Sequence, residues 1–201
     1  MIIRSVPAFA VPDARKYRSF ADLAEAQVRG RDFRISVTRR AASRVAVIAP
    51  HAGGIEDGTS EVARAIAGDD HNLYLFEGTR PAHNFHALHL TSHLFDEPEC
   101  LALIAVCTIV VAVHGCAGAD GRLFVGGRDA GLRDRLAAAL VAADHRAETA
   151  GHAYPAIHPN NICNRGATGM GAQIELPHSL RRGEAAHGVA AAVRAVLLRA
   201  P

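Results

Sequence analysis

Three residues in this chain are of types that can hold a transition metal, and their spacing could bring them together: His51, Glu56 and His114. Two imidazoles and one carboxylate are a common zinc donor set in hydrolytic sites, where a fourth position is left for water. His51 and Glu56 lie in V-A-V-I-A-P-H-A-G-G-I-E-D-G-T-S-E, residues 45–61. Val45 to Ala49 has the length and β-branched content of a buried strand, and Pro50 is expected to stop it because proline cannot donate to a ladder. Gly53 and Gly54 can take φ values closed to other residues, so the chain can fold back and carry Glu56 towards His51. The pattern recurs at T-I-V-V-A-V, residues 108–113, a near-continuous apolar run expected of a central strand covered on both faces, which releases His114 at its end. A plainer reading uses the same residues: His51 and Glu56 as a hydrogen-bonded pair in a glycine turn. Spacing alone leaves both open.

Other histidines compete for the metal, among them His71, His83, His86, His89 and His93. His89 falls inside an expected strand, which suits a core residue or a partner of a ligand better than a ligand. His93 stands at that strand's end and could reach the same rim. Cys116 and Cys163 are softer donors, and a thiolate set would indicate a structural zinc. Glu175 is of a different kind. It sits in A-Q-I-E-L between Ile174 and Leu176, where a carboxylate is costly unless it is paired or functional. Metal-assisted hydrolysis needs a base that takes a proton from water and returns it to the leaving amine. A salt bridge from Glu175 to Arg165, Arg181 or Arg182 would explain the same residue without chemistry.

These side chains need elements to position them. Ser19 to Gly30 reads as a helix with Phe20, Leu23, Ala24 and Gln27 on one face, and Phe33 to Thr38 alternates as an edge strand. Thr59 or Ser60 is a natural N-cap for a helix through Val62 and Ile66 that stops at Gly68. Asn72–Phe76 and Ala87–Thr91 read as strands, with Pro81 and Asn84 marking the turn between them. Asp96 is the expected cap of a helix that opens with Pro98 and carries Leu101, Leu103 and Ile104. Leu123–Val125 reads as a short strand, and Asp129 caps a helix with Leu132, Leu136 and Leu140 stacked. Residues 145–171 show no period and read as a long loop, followed by a strand at Ala172–Leu176 and a final alanine-rich helix bearing Val189, Val193, Val196 and Leu197. The alternation predicts an α/β fold, a three-layer α/β/α sandwich with a mixed, largely parallel central sheet, in a single domain over 1–201.

Composition narrows the function classes. The 201 residues are 49% hydrophobic and 21% charged, as in ordinary globular proteins, and the net charge of +2 is too small to argue for nucleic acid. Nearly all the positive charge is arginine, with Lys16 the single lysine. Cys100, Cys107, Cys116 and Cys163 show no C-x-x-C spacing and read as reduced thiols of a cytoplasmic protein. Pro7 and Pro12 break the opening segment, which lacks the apolar run of a signal peptide. Leu101 to Val113 falls short of the ~20 residues needed to span a bilayer, so no membrane partner is expected.

P-H-A-G-G-I-E-D-G-T-S-E (50–61), L-H-L-T-S-H-L-F-D-E-P (88–98), V-H-G (113–115), V-G-G-R-D (125–129), N-I-C-N-R-G (161–166) and G-A-Q-I-E-L (171–176), together with K-Y-R-S-F-A-D-L and R-D-F-R-I near the start, resemble the phage-type poly-γ-glutamate hydrolase family. The resemblance runs from about Tyr17 to Arg182. It implies a zinc-dependent enzyme of carboxypeptidase-like fold that cleaves the γ-linked amide bonds of a polyanionic polymer, with His51, Glu56 and His114 on the zinc and Glu175 as base. One departure is Ala52, where the family usually carries a third glycine. A substrate with a carboxylate on every residue should be met by cations. Arg165 is the first choice for steadying the oxyanion or gripping a substrate carboxylate, with Arg181, Arg182 and His93 as further substrate contacts. Two other functions fit the residues: a zinc amidohydrolase of small N-acylated amino acids, and a polyanion-binding module without catalysis, which would have no use for Glu175.

Overall fold

The structure, a computed structural model, describes residues 16–118 and 120–199; the opening segment read above as lacking a signal peptide lies outside them. Seven strands form one sheet: β1 (Phe33–Thr38), β2 (Val45–Gly53), β3 (Asn72–Gly78), β4 (Ile109–Cys116), β5 (Arg122–Gly126), β6 (Arg146–Glu148) and β7 (Ala172–Pro177), in the order β1-β3-β2-β4-β7-β5-β6. The four adjacent strands β3, β2, β4 and β7 are mutually parallel, whereas β1 and β5 run antiparallel to their inner neighbours. The parallel strands therefore all end on one rim. This is the mixed, largely parallel sheet that the alternation of elements predicts.

The helices are α1 (Phe20–Ala26), α2 (Thr59–Ala67), α3 (Asn84–Leu88), α4 (Pro98–Ile104), α5 (Ala130–Ala142) and α6 (Gly183–Leu197). Strand alternation sorts the core into two halves. Val45, Val47, Val111, Val113, Ile174 and Leu176 pack with α2, α5 and α6 on one face. Ala46, Ile48, Val110 and Ala112 pack with α1, α3 and α4 on the other. Among the described residues, no helix is long and apolar enough to cross a membrane.

Four local expectations need correction. Pro50 does not stop β2, which runs on to Gly53 with its register to β3 shifted between Ala49 and Ala52. A bulge is one of the few places where a sheet tolerates proline, since the residue it adds is left out of the ladder. Thr59 and Ser60 do not cap α2. Gly58 does, at φ +92°, because Thr59 Oγ1 donates to the Glu56 carbonyl and Ser60 Oγ turns to β3. Glu97 caps α4, accepting from the amides of Glu99 and Cys100, while Asp96 accepts from Phe20 N and ties down α1. Ala87–Thr91 is not a strand: its first two residues end α3 and the rest crosses in extended form, because β1 already occupies the sheet edge beside β3. The long quiet stretch also contains the edge strand β6 and a 3-10 turn at Ile162–Asn164.

Candidate metal centre

The rim where the four parallel strands end brings together His51, Glu56, His114 and Glu175. His51 lies near the end of β2, and His114, near the end of β4, stands directly opposite Glu175 of β7 in the parallel register. Parity explains how they come to share a face. Val113 and both Ile174 and Leu176 point into the core beneath α2, α5 and α6, so His114 and Glu175 point the other way. In strict alternation His51 would follow Val45, Val47 and Ala49 into the wrong core. The bulge at Pro50 prevents this: Ala49 and Ala52, three residues apart, both face that core, and His51 turns towards Phe95 and His89.

The glycine turn brings in the carboxylate. Gly53 has φ +61°, and a side chain there would place Cβ 2.7 Å from the Gly78 carbonyl oxygen. With the chain folded back, Glu56 N donates to the His51 carbonyl at 2.9 Å, and Glu56 Oε1 lies 3.0 Å from His51 Nδ1. Glu56 Oε2 accepts from Gly115 N at 2.7 Å, which locks the carboxylate to the end of β4.

One proton is also placed. His51 Nε2 lies 2.8 Å from the carbonyl oxygen of Leu90, which can only accept, so Nε2 carries a hydrogen. His114 Nδ1 is 3.1 Å from His51 Nδ1, and its Nε2 is 3.5 Å from Ser92 Oγ. The ligand atoms of His51, Glu56 and His114 lie within 4.8 Å of one another, and all three residues are buried. Burial opposes the charge on Glu56, yet the two rings facing it outweigh that and hold its carboxyl below the ordinary range. Two ring nitrogens and a carboxylate aimed at one point need a proton or a cation between them. This donor set fits a zinc ion: nitrogen and oxygen ligands, three in number, with backbone groups holding the outer atoms of His51 and Glu56.

These residues and Glu175 line a cavity of about 560 Å³. Glu175 is 6% exposed, and it accepts from Gln173 Nε2 at 2.7 Å. Burial and the neighbouring charge of Glu56 push its carboxyl well above the ordinary range. His93 is half-buried in the cavity wall, its ring 5.2 Å from that of His158 on the opposite loop. His89 also lines the cavity, stacked between Phe85 and His51, and burial with the adjoining His51 pushes it down to about 3. Cys116 lines it as a thiol, because burial and the charge of Glu175 push it up to about 12.

The arginines stand elsewhere. Arg165 is exposed and does not line the cavity, because Ala167 N donates to the Cys107 carbonyl and pins the N-R-G segment near the start of β4, the end away from His114. Arg181 is buried behind Gly115, with Nη1 donating to the Asp57 carbonyl, and Arg182 is exposed in an ion pair with Asp57. The cavity also holds Tyr154, Asn161 and Gln173, none of which stood out in the sequence. Gln173 had a usable signal: it lies two residues before Glu175 and so on the same face of β7.

A family model described as poly-gamma-glutamate hydrolase matches residues 17–185. The chain belongs to that family. The Bacillus subtilis (strain 168) protein YndL is 40% identical over 151 residues, 73% of this chain and 58% of YndL. The chain therefore spans little more than half the length of that relative. Among solved structures, a bacteriophage poly-gamma-glutamate hydrolase superposes with a TM-score of 0.85 at 31% identity, covering 90% of this chain and 95% of that one. The zinc-free form of YndL superposes with 0.84 at 32% identity, covering 91% and 97%. An N-formylglutamate amidohydrolase from Ralstonia eutropha shares the fold at a TM-score of 0.57 and 13% identity, covering 84% of this chain and 96% of that one.

Proposed function

We propose that this protein is a zinc-dependent hydrolase of the γ-linked amide bonds of poly-γ-glutamate, with His51, Glu56 and His114 as the metal ligands and Glu175 as the proton carrier. The observation that carries the reading is the convergence of the His51, His114 and Glu56 ligand atoms in the same cavity as a buried Glu175 that forms no ion pair among the described residues. Membership of the family supplies the substrate class. Zinc at this donor set would supply Lewis-acid polarisation of the amide carbonyl and of water.

The chain's own residues do the rest. Glu56 and His51 are held by backbone groups, so the donor set needs little rearrangement on binding. Glu175 prefers to be uncharged while the negative charge of Glu56 faces it in a buried place. It becomes the anion needed for proton abstraction once that charge is matched, and it then returns the proton to the leaving nitrogen. Polymer carboxylates would be met at the mouth by His93 and His158 in place of the arginines first expected there. A polyanion-binding module without catalysis is disfavoured, because among the described residues no arginine or lysine lines the cavity, whereas a base and a complete ligand set do.

The test is zinc content and hydrolysis of poly-γ-glutamate for the wild type, His51→Ala, His114→Ala and Glu175→Gln. About one zinc per chain, lost in both histidine variants and kept in Glu175→Gln without turnover, is the expected result. A folded wild type that takes up no zinc overturns the reading.

A further inference from the structure

The hydrogen bonds beneath Glu175 form a chain whose direction is set from its far end. Asn161 caps the 3-10 turn Ile162–Asn164, its Oδ1 accepting from Cys163 N at 3.1 Å. A backbone N–H can only donate, so the side of the Asn161 amide that faces it must be the oxygen. Nδ2 is then the atom turned to Gln173, and it donates to Gln173 Oε1 at 3.1 Å. With its oxygen engaged, Gln173 presents its NH₂ group to Glu175, where Nε2 donates to Oε1 at 2.7 Å. Amide orientations are usually open to a flip. Here a main-chain donor two links away forbids it, and all three side chains are buried.

Polarity matters to a residue that must accept a proton. An N–H aimed at Glu175 leaves its carboxylate free to act as an acceptor, while a flipped Gln173 would aim a carbonyl at it and require the carboxyl to donate. The contact also singles out one oxygen: Oε1 is occupied, and Oε2 is left for exchange with substrate. We propose that Asn161 and Gln173 are positioning residues, a polarised relay from the Cys163 main-chain N–H that fixes the orientation of Glu175 and leaves Oε2 as its reacting oxygen. The assignment rests on Glu175 being the proton carrier proposed above. The relay joins two motifs that are separate in sequence, N-I-C-N (161–164) and A-Q-I-E-L (172–176), and gives Asn161 a task beyond capping a turn.

The experiment compares Gln173→Leu, Asn161→Ala and the double variant with the wild type for kcat and KM on poly-γ-glutamate, bound zinc and thermal midpoint. Gln173→Leu is expected to lower kcat by about 10–100-fold with KM and zinc unchanged, the usual scale for a residue that orients a catalytic group. Asn161→Ala is expected to lower kcat by less, and the double variant to be no worse than Gln173→Leu alone, because Asn161 acts only through Gln173. Losses that multiply in the double variant, or that appear equally in KM and zinc content, overturn the relay. A second readout needs no turnover: the Gln173 side-chain amide signal in NMR spectra of zinc-free protein, assigned by its loss in Gln173→Leu. It should move in Asn161→Ala and in Glu175→Gln and stay in place in Arg133→Ala. A signal indifferent to Asn161→Ala refutes the relay even if the protein hydrolyses nothing, whereas a wild type without hydrolysis refutes only the proposed function.

Discussion

Glu77 and Glu175 occupy matching places, each near the carboxyl end of a parallel strand and each buried, with 5% and 6% exposure. They face opposite sides of the sheet, and their surroundings could hardly differ more. Glu77 accepts from Arg34, Ser36 and Ser60 and also contacts Arg64; burial opposes its charge, but these partners win and lower its pKa. Glu175 has one neutral amide donor and a like charge nearby, and its pKa is raised. A carboxylate given more partners than it needs ties elements together, in this case β1, β3 and α2. One that is buried without a direct ion pair among the described residues stays poised to change its protonation state.

The largest expected effect separates the two directly. Glu175→Gln should lower kcat on the γ-glutamyl polymer by roughly 10²–10⁴-fold, the range for loss of a general base, with zinc binding kept. The zinc-free variant should melt no lower than wild type, since the carbonyl of the substituted amide can still accept from Gln173 and the amide, like the protonated carboxyl it replaces, sets no charge against Glu56. Glu77→Gln should do the reverse. It leaves Arg34 and Ser60 poorly matched and should cost about 1–3 kcal/mol in a denaturant titration while kcat changes little. Smaller still is Arg34→Ala. The Arg34 side chain is 61% exposed, so water screens the pair and the loss should be no more than about 1 kcal/mol. A larger loss for Arg34→Ala than for Glu77→Gln would show that the two ends of this bridge do not share one role.

The sequence disclosed more of the site than of its supports, for physical reasons. His51, His114 and Glu175 follow apolar runs whose period marks strands, and parallel strands end on a common rim, so their neighbourhood was legible. The face on which His51 lies was not, because the bulge at Pro50 breaks the very alternation from which faces are inferred. Ala87–Thr91 alternates like a strand, but the edge beside β3 is taken by β1, and edge occupancy belongs to the whole sheet. Arg165 had the right chemistry for an anion and the wrong place, since a main-chain bond from Ala167 to Cys107 anchors its loop at the far end of β4. Loop anchorage of that kind leaves no periodic trace. The 3-10 turn that Asn161 caps left none either, because one turn is too short to show a period.

The last consequence concerns acid. Glu77 has its folded-state pKa below the ordinary value of 4.5, so its contribution is fully present above 4.5 and drains away as pH falls towards the folded value. For Glu175 the sign is opposite. Its folded-state pKa lies above 4.5, so the native protein holds a proton that the unfolded chain releases, and stability without zinc falls as pH rises from 4.5 towards that higher value. In zinc-free protein the two groups therefore oppose each other across the acid range. Chemical denaturation at a series of pH values should show Glu77→Gln with a smaller drop on the acid side of 4.5 and Glu175→Gln with a smaller decline on the other. If both variants flatten the same limb, the carboxylates share one electrostatic environment, and the division between a tying group and a poised one fails.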